Sequence, residues 1–121
     1  SENKNYNDGM QLRDFIYVKD AVECIMFFLK NSHISGLFNS GSGSAQSFKD
    51  LAIAVLENTK GNASNIKYIN MPNDLKGKYQ YYTEANLDKI KAKGFNLKFK
   101  NLEEGVNDYM KNYLLTSDRY A

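Results

Sequence analysis

At 121 residues the chain has the length of one ordinary domain, and no linker-like stretch divides it. An apolar share of 42% beside 25% charged residues excludes a disordered chain and fits a globular one. A net charge of +2, with Lys and Arg interleaved among Asp and Glu, argues against nucleic acid as a partner.

The opening segment SENKNYNDGM (residues 1–10) is polar, Asn-rich and aperiodic, which predicts a loop or a frayed end. DFIYV (14–18) has the composition of a short strand buried on both faces. Asp20 fits a helix N-cap with Glu23 at N3, predicting a helix that runs to about Asn31. The single cysteine, Cys24, falls in this helix's apolar run, which predicts a buried thiol in a reducing compartment. The longest apolar run, CIMFFL (24–29), is too short to cross a bilayer, and no signal-peptide pattern opens the chain. The expectation is a cytoplasmic protein without a membrane partner.

GLFNS (36–40) reads as a second strand, followed by the turn GSGSAQ (41–46). Ser47, with Asp50 three residues on, caps the next helix, whose Phe48, Leu51, Ala52, Val55 and Leu56 form one apolar stripe. KGNAS (60–64) ends it, and IKYINMP (66–72) is a third strand closed by Pro72. After the polar, aromatic loop NDLKGKYQYY (73–82), Thr83 is the expected cap of a helix that stops at Gly94. Asn101 with Glu104 opens the final helix, in which Leu102, Val106, Tyr109, Met110 and Tyr113 share a face. The order β-α-β-α-β-loop-α-α predicts an α/β fold with a parallel sheet and helices packed on it. Three short strands make a poor parallel sheet, since such strands are normally buried on both faces. The expectation is a portion of a larger α/β protein, with more of the sheet upstream of Ser1.

Four features bear on chemistry. FNSGSGSAQSF (38–48) follows a strand and precedes a helix, as a dinucleotide-binding turn does, but Gln46 stands at the third glycine position. It therefore reads as a tight turn made by Gly41 and Gly43. His33, the one histidine, has no carboxylate or second His at ligand spacing and reads as a surface loop residue. Arg13 stands at a strand boundary, where open α/β sheets place their ligand crevice, and its planar fork matches phosphate oxygens. An ordinary ion pair with Asp14 or Asp20 explains Arg13 equally well on spacing. In LKGKYQYYTEANL (75–87), Lys76, Lys78, Tyr79, Tyr81 and Tyr82 crowd around Gly77. Such a loop either holds phosphate and stacks a ring, or covers the helices beneath it.

Two stretches carry a resemblance. RDFIYVKDAVECIMFFL (13–29) resembles the segment R-D-[FY]-[IV]-[YH]-V-x-D-[VAL] of the extended short-chain dehydrogenase/reductases, which include nucleotide-sugar epimerases and dehydratases. GLFNSGSGSAQSFKDLA (36–52) resembles the strand and turn G-x-[FY]-N-[VLI]-G-[ST]-G that follows in that group, with Ser40 where an aliphatic residue is usual. LKGKYQYYTEANLDKIKAKGF (75–95) and FKNLEEGVNDYM (99–110) are similar to the ADP-L-glycero-D-manno-heptose 6-epimerase family, in which K-G-x-Y-Q precedes T-x-A-[ND]-L.

The resemblance implies an extended Rossmann-like fold, of which this chain is the C-terminal, substrate-binding portion. It implies an isomerase that binds NADP and inverts C6 of an ADP-heptose through a transient keto sugar, for the lipopolysaccharide inner core. It also implies a cytoplasmic homo-oligomer, typically a pentamer. Carried over by position, Arg13 and Tyr79 are the expected substrate contacts, Arg13 at the ADP diphosphate. The family's cofactor glycines, Tyr-x-x-x-Lys pair and catalytic Ser or Thr belong upstream, so the isolated chain is expected to be inactive. A related epimerase, dehydratase or reductase of another nucleotide-sugar, or a non-catalytic nucleotide-binding or assembly module, is the alternative.

Overall fold

The computed structural model describes residues 3–117. Its sheet is small and centres on β1 (Leu12–Arg13), which pairs antiparallel with β2 (Gln46–Ser47), Leu12 facing Ser47 and Arg13 facing Gln46. The Lys49 N–H donates to the Gly9 carbonyl at 2.9 Å and the Phe48 N–H to the Gln11 carbonyl at 3.2 Å, prolonging this contact. On the other edge of β1, the Leu12 N–H donates to the Tyr81 carbonyl at 2.9 Å and the Thr83 N–H to the Leu12 carbonyl at 3.2 Å. This is a parallel bridge between Leu12 and Tyr82. Leu12 thereby lies between two neighbours, and Arg13 follows it directly.

Helix α1 (Val18–Lys30) starts after Tyr17, which is extended and makes no side-chain cap bond, and it ends at Asn31. Helix α2 (Phe48–Asn58) opens with the expected capping box: the Asp50 N–H donates to Ser47 Oγ and the Ser47 N–H to Asp50 Oδ2, both at 3.0 Å. Such a cap contributes about 1 kcal/mol by satisfying amides that the first turn leaves open. A single 3₁₀ turn (Ala63–Asn65) and a short helix α3 (Asp88–Lys91) come next. Helix α4 (Leu102–Tyr109) has the second expected box, Asn101 with Glu104, and runs into a π-helical turn (Met110–Leu114).

Apolar burial has two centres. Cys24, Leu87, Ile90 and Phe95 form one cluster, with Phe27, Phe28, Phe38, Ala85 and Phe99 packed around it. Cys24 is buried, as its place in the apolar run requires. The other centre lies where α2 packs on α4, burying Ala54, Leu102, Gly105 and Met110. A methyl on Gly105 would lie 3.1 Å from the Tyr17 Cβ, so the absent side chain lets α4 approach the start of α1.

The class is α/β, as expected. The expected strands at 14–18, 36–40 and 66–72 do not form; the ladder is β1 with β2, and it is antiparallel rather than parallel. A strand is made by its neighbour's hydrogen bonds, and those three segments have none among the described residues. Phe15, Ile16 and Tyr17 instead line an apolar groove of about 460 Å³ with residues of α2 and α4. In the 66–72 segment Ile69 is 87% exposed, which is incompatible with a buried strand.

Two caps also differ. Asp20 is not the N-cap of α1; it lies inside the first turn, 4% exposed, where its carboxylate accepts the Lys100 N–H at 2.7 Å. Thr83 caps nothing, because the backbone around it is already engaged with β1 and with Asp14, and α3 starts only at Asp88. Gly94 does end that helical region in the left-handed conformation, φ +90°.

Candidate functional site

Arg13 leaves β1 toward the segment that follows the Tyr79 loop. Its Nη1 donates to the Leu12 carbonyl at 3.0 Å and its Nη2 to the Gln80 carbonyl in a close contact. The guanidinium carbon lies 4.8 Å from the centroid of the Tyr79 ring, a cation–π arrangement. Tyr79 meets Tyr81 edge to face at 5.3 Å, and Tyr81 stacks on Tyr6 at 5.5 Å. Arg13 and Tyr79, 66 positions apart in sequence, are therefore brought together. Tyr79 also forms part of the wall of a cavity of about 590 Å³ with Gln11, Phe48, Tyr68, Met71 and Pro72. The two carbonyl bonds engage two of the five guanidinium N–H donors, and the fork retains capacity for an oxyanion.

Of the two readings of Arg13, the ion pair with Asp14 or Asp20 is not what forms. Asp20 is engaged by Lys100, whose ammonium stands 3.5 Å from its carboxylate. Asp14 is engaged elsewhere: its Oδ1 accepts the Ser42 N–H and the Ser42 hydroxyl, both at 2.6 Å. Its Oδ2 accepts the Gly43 N–H at 3.0 Å and the Ala85 N–H at 2.8 Å. Burial pushes the Asp14 carboxyl upward, but the Ser42 hydroxyl and the amides of Ala85, Ser42 and Gly43 outweigh it, leaving the pKa below the ordinary value.

That geometry decides the glycine-rich turn. The amides a pyrophosphate would need, those of Ser42 and Gly43, already point at an internal carboxylate, so the turn does not fit a dinucleotide. Gly41 is buried, and a methyl there would lie 2.5 Å from both the Ala85 methyl and Asp14 Oδ2. The tight turn expected from the sequence is thus also a close contact between three segments. Asp14 was not among the expected site residues. Its partners lie 28, 29 and 71 positions away, and only its place beside Arg13 hinted at it.

Lys76 and Lys78 are exposed on the loop around Gly77, which has φ +73°, and His33 is exposed in the loop after α1. A second polar cluster ties α1 to α4. The Tyr17 hydroxyl donates to the Asp108 carboxylate, which also accepts Lys19 Nζ at 2.8 Å and Asn112 Nδ2 at 2.8 Å. The hydrogen bond from Lys19 comes first in holding the Asp108 carboxyl down to about 2, while burial and then Asp108 push the Tyr17 phenol up to about 12. Among the described residues no cluster of His, Cys, Asp and Glu could hold a metal, and no helix is long and apolar enough to cross a membrane. The arrangement around Arg13 and Tyr79 can bind an anion beside an aromatic wall.

Comparison with known proteins agrees with the motifs. Residues 2–41 match the Epimerase model, the NAD dependent epimerase/dehydratase family, whose description names a nicotinamide cofactor. The chain is 44% identical over 125 residues to the ADP-L-glycero-D-manno-heptose-6-epimerase of Fusobacterium nucleatum subsp. nucleatum, covering 99% of this chain and 38% of that protein. Proteins of the same name from Nitratidesulfovibrio vulgaris, strains DP4 and Hildenborough, are each 44% identical, over 96% and 94% of this chain and 36% and 35% of their own length. The chain thus spans little more than a third of the curated relatives that it matches. Along nearly its whole length it is similar to proteins named ADP-L-glycero-D-manno-heptose-6-epimerase, and its first third is similar to the NAD dependent epimerase/dehydratase family.

Proposed function

We propose that the chain is the C-terminal, substrate-binding part of an NADP-dependent nucleotide-sugar epimerase that inverts C6 of an ADP-heptose. The observation that carries this reading is the meeting of Arg13 and Tyr79 at 4.8 Å beside a cavity of about 590 Å³. A planar cation takes the diphosphate, and the aromatic wall takes the flanking ring or sugar. The Gly-rich turn does not fit a dinucleotide, because its Ser42 and Gly43 amides are bonded to Asp14. NADP, on this reading, is bound mainly by an N-terminal portion of a longer protein, which also supplies the groups that move protons and hydride. On this reading the chain alone binds substrate without turning it over. The whole enzyme is a cytoplasmic homo-oligomer, a pentamer by family resemblance, that supplies lipopolysaccharide inner-core synthesis.

Calorimetric titration of the 121-residue chain with ADP and with NADP tests the assignment. ADP binding with no NADP binding is the expected result, and failure to bind ADP removes the proposal. A charge-assisted phosphate contact is worth roughly 1.5–3 kcal/mol, so Arg13→Ala should weaken ADP binding by about one to two decades. Tyr79→Phe and Tyr79→Ala then separate a hydroxyl contact from ring packing. If both leave affinity unchanged, the loop only covers the surface beneath it.

A further inference from the structure

Residues 80–85 are held against β1 by few bonds. These are the two backbone bonds of the bridge at Leu12, the Arg13 contact with the Gln80 carbonyl, and the Ala85 N–H on Asp14 at 2.8 Å, while Glu84 accepts the Ala45 N–H at 3.0 Å from the turn. A one-residue slip along a strand turns every side chain to the other face, so whatever fixes this register decides whether Tyr79 lies over Arg13. The Leu12 bridge and the Arg13 contact tie this segment to β1 alone. Asp14 reaches further: it also grips the Ser42 hydroxyl and the amides of Ser42 and Gly43, in the turn that leads into β2.

We propose that Asp14 is the positioning residue of this site. One carboxylate, adjacent in the chain to Arg13, joins β1, the 41–43 turn and residue 85, and so sets Tyr79 in register with the guanidinium. The fit is tight on all sides, since Gly41 has no room for a methyl between Ala85 and Asp14. A carboxylate suits this joint because it accepts at both oxygens and donates nothing, whereas a carboxamide turns an N–H₂ toward amide donors. The inference rests on reading Arg13 and Tyr79 as nucleotide contacts, but its first readout does not need a ligand.

The test compares wild type, Asp14→Asn and Ser42→Ala in the 121-residue chain by NMR and by ADP titration. In the wild type the side-chain protons of Arg13 should carry an upfield ring-current shift from Tyr79. Asp14→Asn is expected to abolish that shift while leaving the amide shifts of α2 and α4 in place, and to weaken ADP binding about tenfold. Ser42→Ala removes one donor without introducing a clash, and should reduce the shift and weaken binding about twofold to threefold. An Asp14→Asn chain with the wild-type Arg13 shift and wild-type ADP affinity overturns the proposal. Should that variant fail to fold, a silent Ser42→Ala does the same. If the wild type does not bind ADP, the functional assignment falls, yet the ring-current comparison still decides the positioning role.

Discussion

Asp14 and Asp108 each gather several donors and each titrates below an ordinary carboxylate, but the donors are of different kinds. Asp14 takes three backbone N–H groups and one hydroxyl from two segments distant in sequence. Asp108 takes only side chains: a phenol, an ammonium and a carboxamide. Backbone donors cannot turn away without moving the main chain, so the first carboxylate fixes where three segments lie. Side-chain donors can rotate into water at small cost, so the second fastens a surface that packing has already assembled. The carboxylate that organises the candidate site is the one bound to backbone.

The largest effect should follow from crowding the first centre without touching its charge. Gly41→Ala inserts a methyl 2.5 Å from Ala85 Cβ and Asp14 Oδ2, so one of the three segments must move. Overpacking of this kind costs about 1–3 kcal/mol. Chemical denaturation should show that loss, and the ring-current shift on Arg13 should fall with it. A Gly41→Ala chain as stable as wild type would mean that the three segments are not tightly joined.

Acid should affect both centres, in a window set by their shifted values. A carboxyl whose folded pKa is depressed contributes stability that is complete above its unfolded value, about 3.8 here, and is lost as pH falls through the folded value. For Asp108 that folded value is about 2; for Asp14 it lies below 3.8. The contribution of both groups to the melting temperature should therefore be constant from neutral pH down to about pH 5 and fall below about pH 4. Asp108→Asn should make that fall shallower between about pH 4 and about pH 2, leaving the part that Asp14 contributes. An identical acid profile in that variant would show that Asp108 gains nothing from its partners.

Local signals in the sequence were legible and distant ones were not. The boxes at Ser47–Asp50 and Asn101–Glu104 lie within four residues of chain, and both form as read. Asp20 satisfies the same local pattern, yet its carboxylate is held by the Lys100 backbone, 80 positions on, which no window around α1 contains. The expected strands failed for a related reason: composition marks a segment as fit for a sheet but does not supply the neighbour that makes it a strand. Arg13 and Tyr79 were singled out by their motifs, and their meeting required the fold. Asp14 was visible only as the second letter of R-D-F. An acidic residue ahead of a Gly- and Ser-rich turn is a usable signal in retrospect, because such turns present unpaired amides that a carboxylate can collect.

The smallest expected effect separates the two carboxylates most cleanly. Lys19 and Asp108 are 2.8 Å apart with side chains 47% and 27% exposed, so their attraction acts partly through solvent. Raising ionic strength from 0.1 M to 1 M shortens the screening length from about 10 Å to about 3 Å. The stability lost on Asp108→Asn should therefore shrink in 1 M salt, when urea unfolding is measured at both ionic strengths. The loss on Ser42→Ala should not, because the hydroxyl that donates at 2.6 Å carries no net charge for salt to screen. If salt diminished both losses equally, Asp14 would be as solvent-borne as Asp108, and the distinction between a carboxylate bound by backbone and one bound by side chains would not hold for this chain.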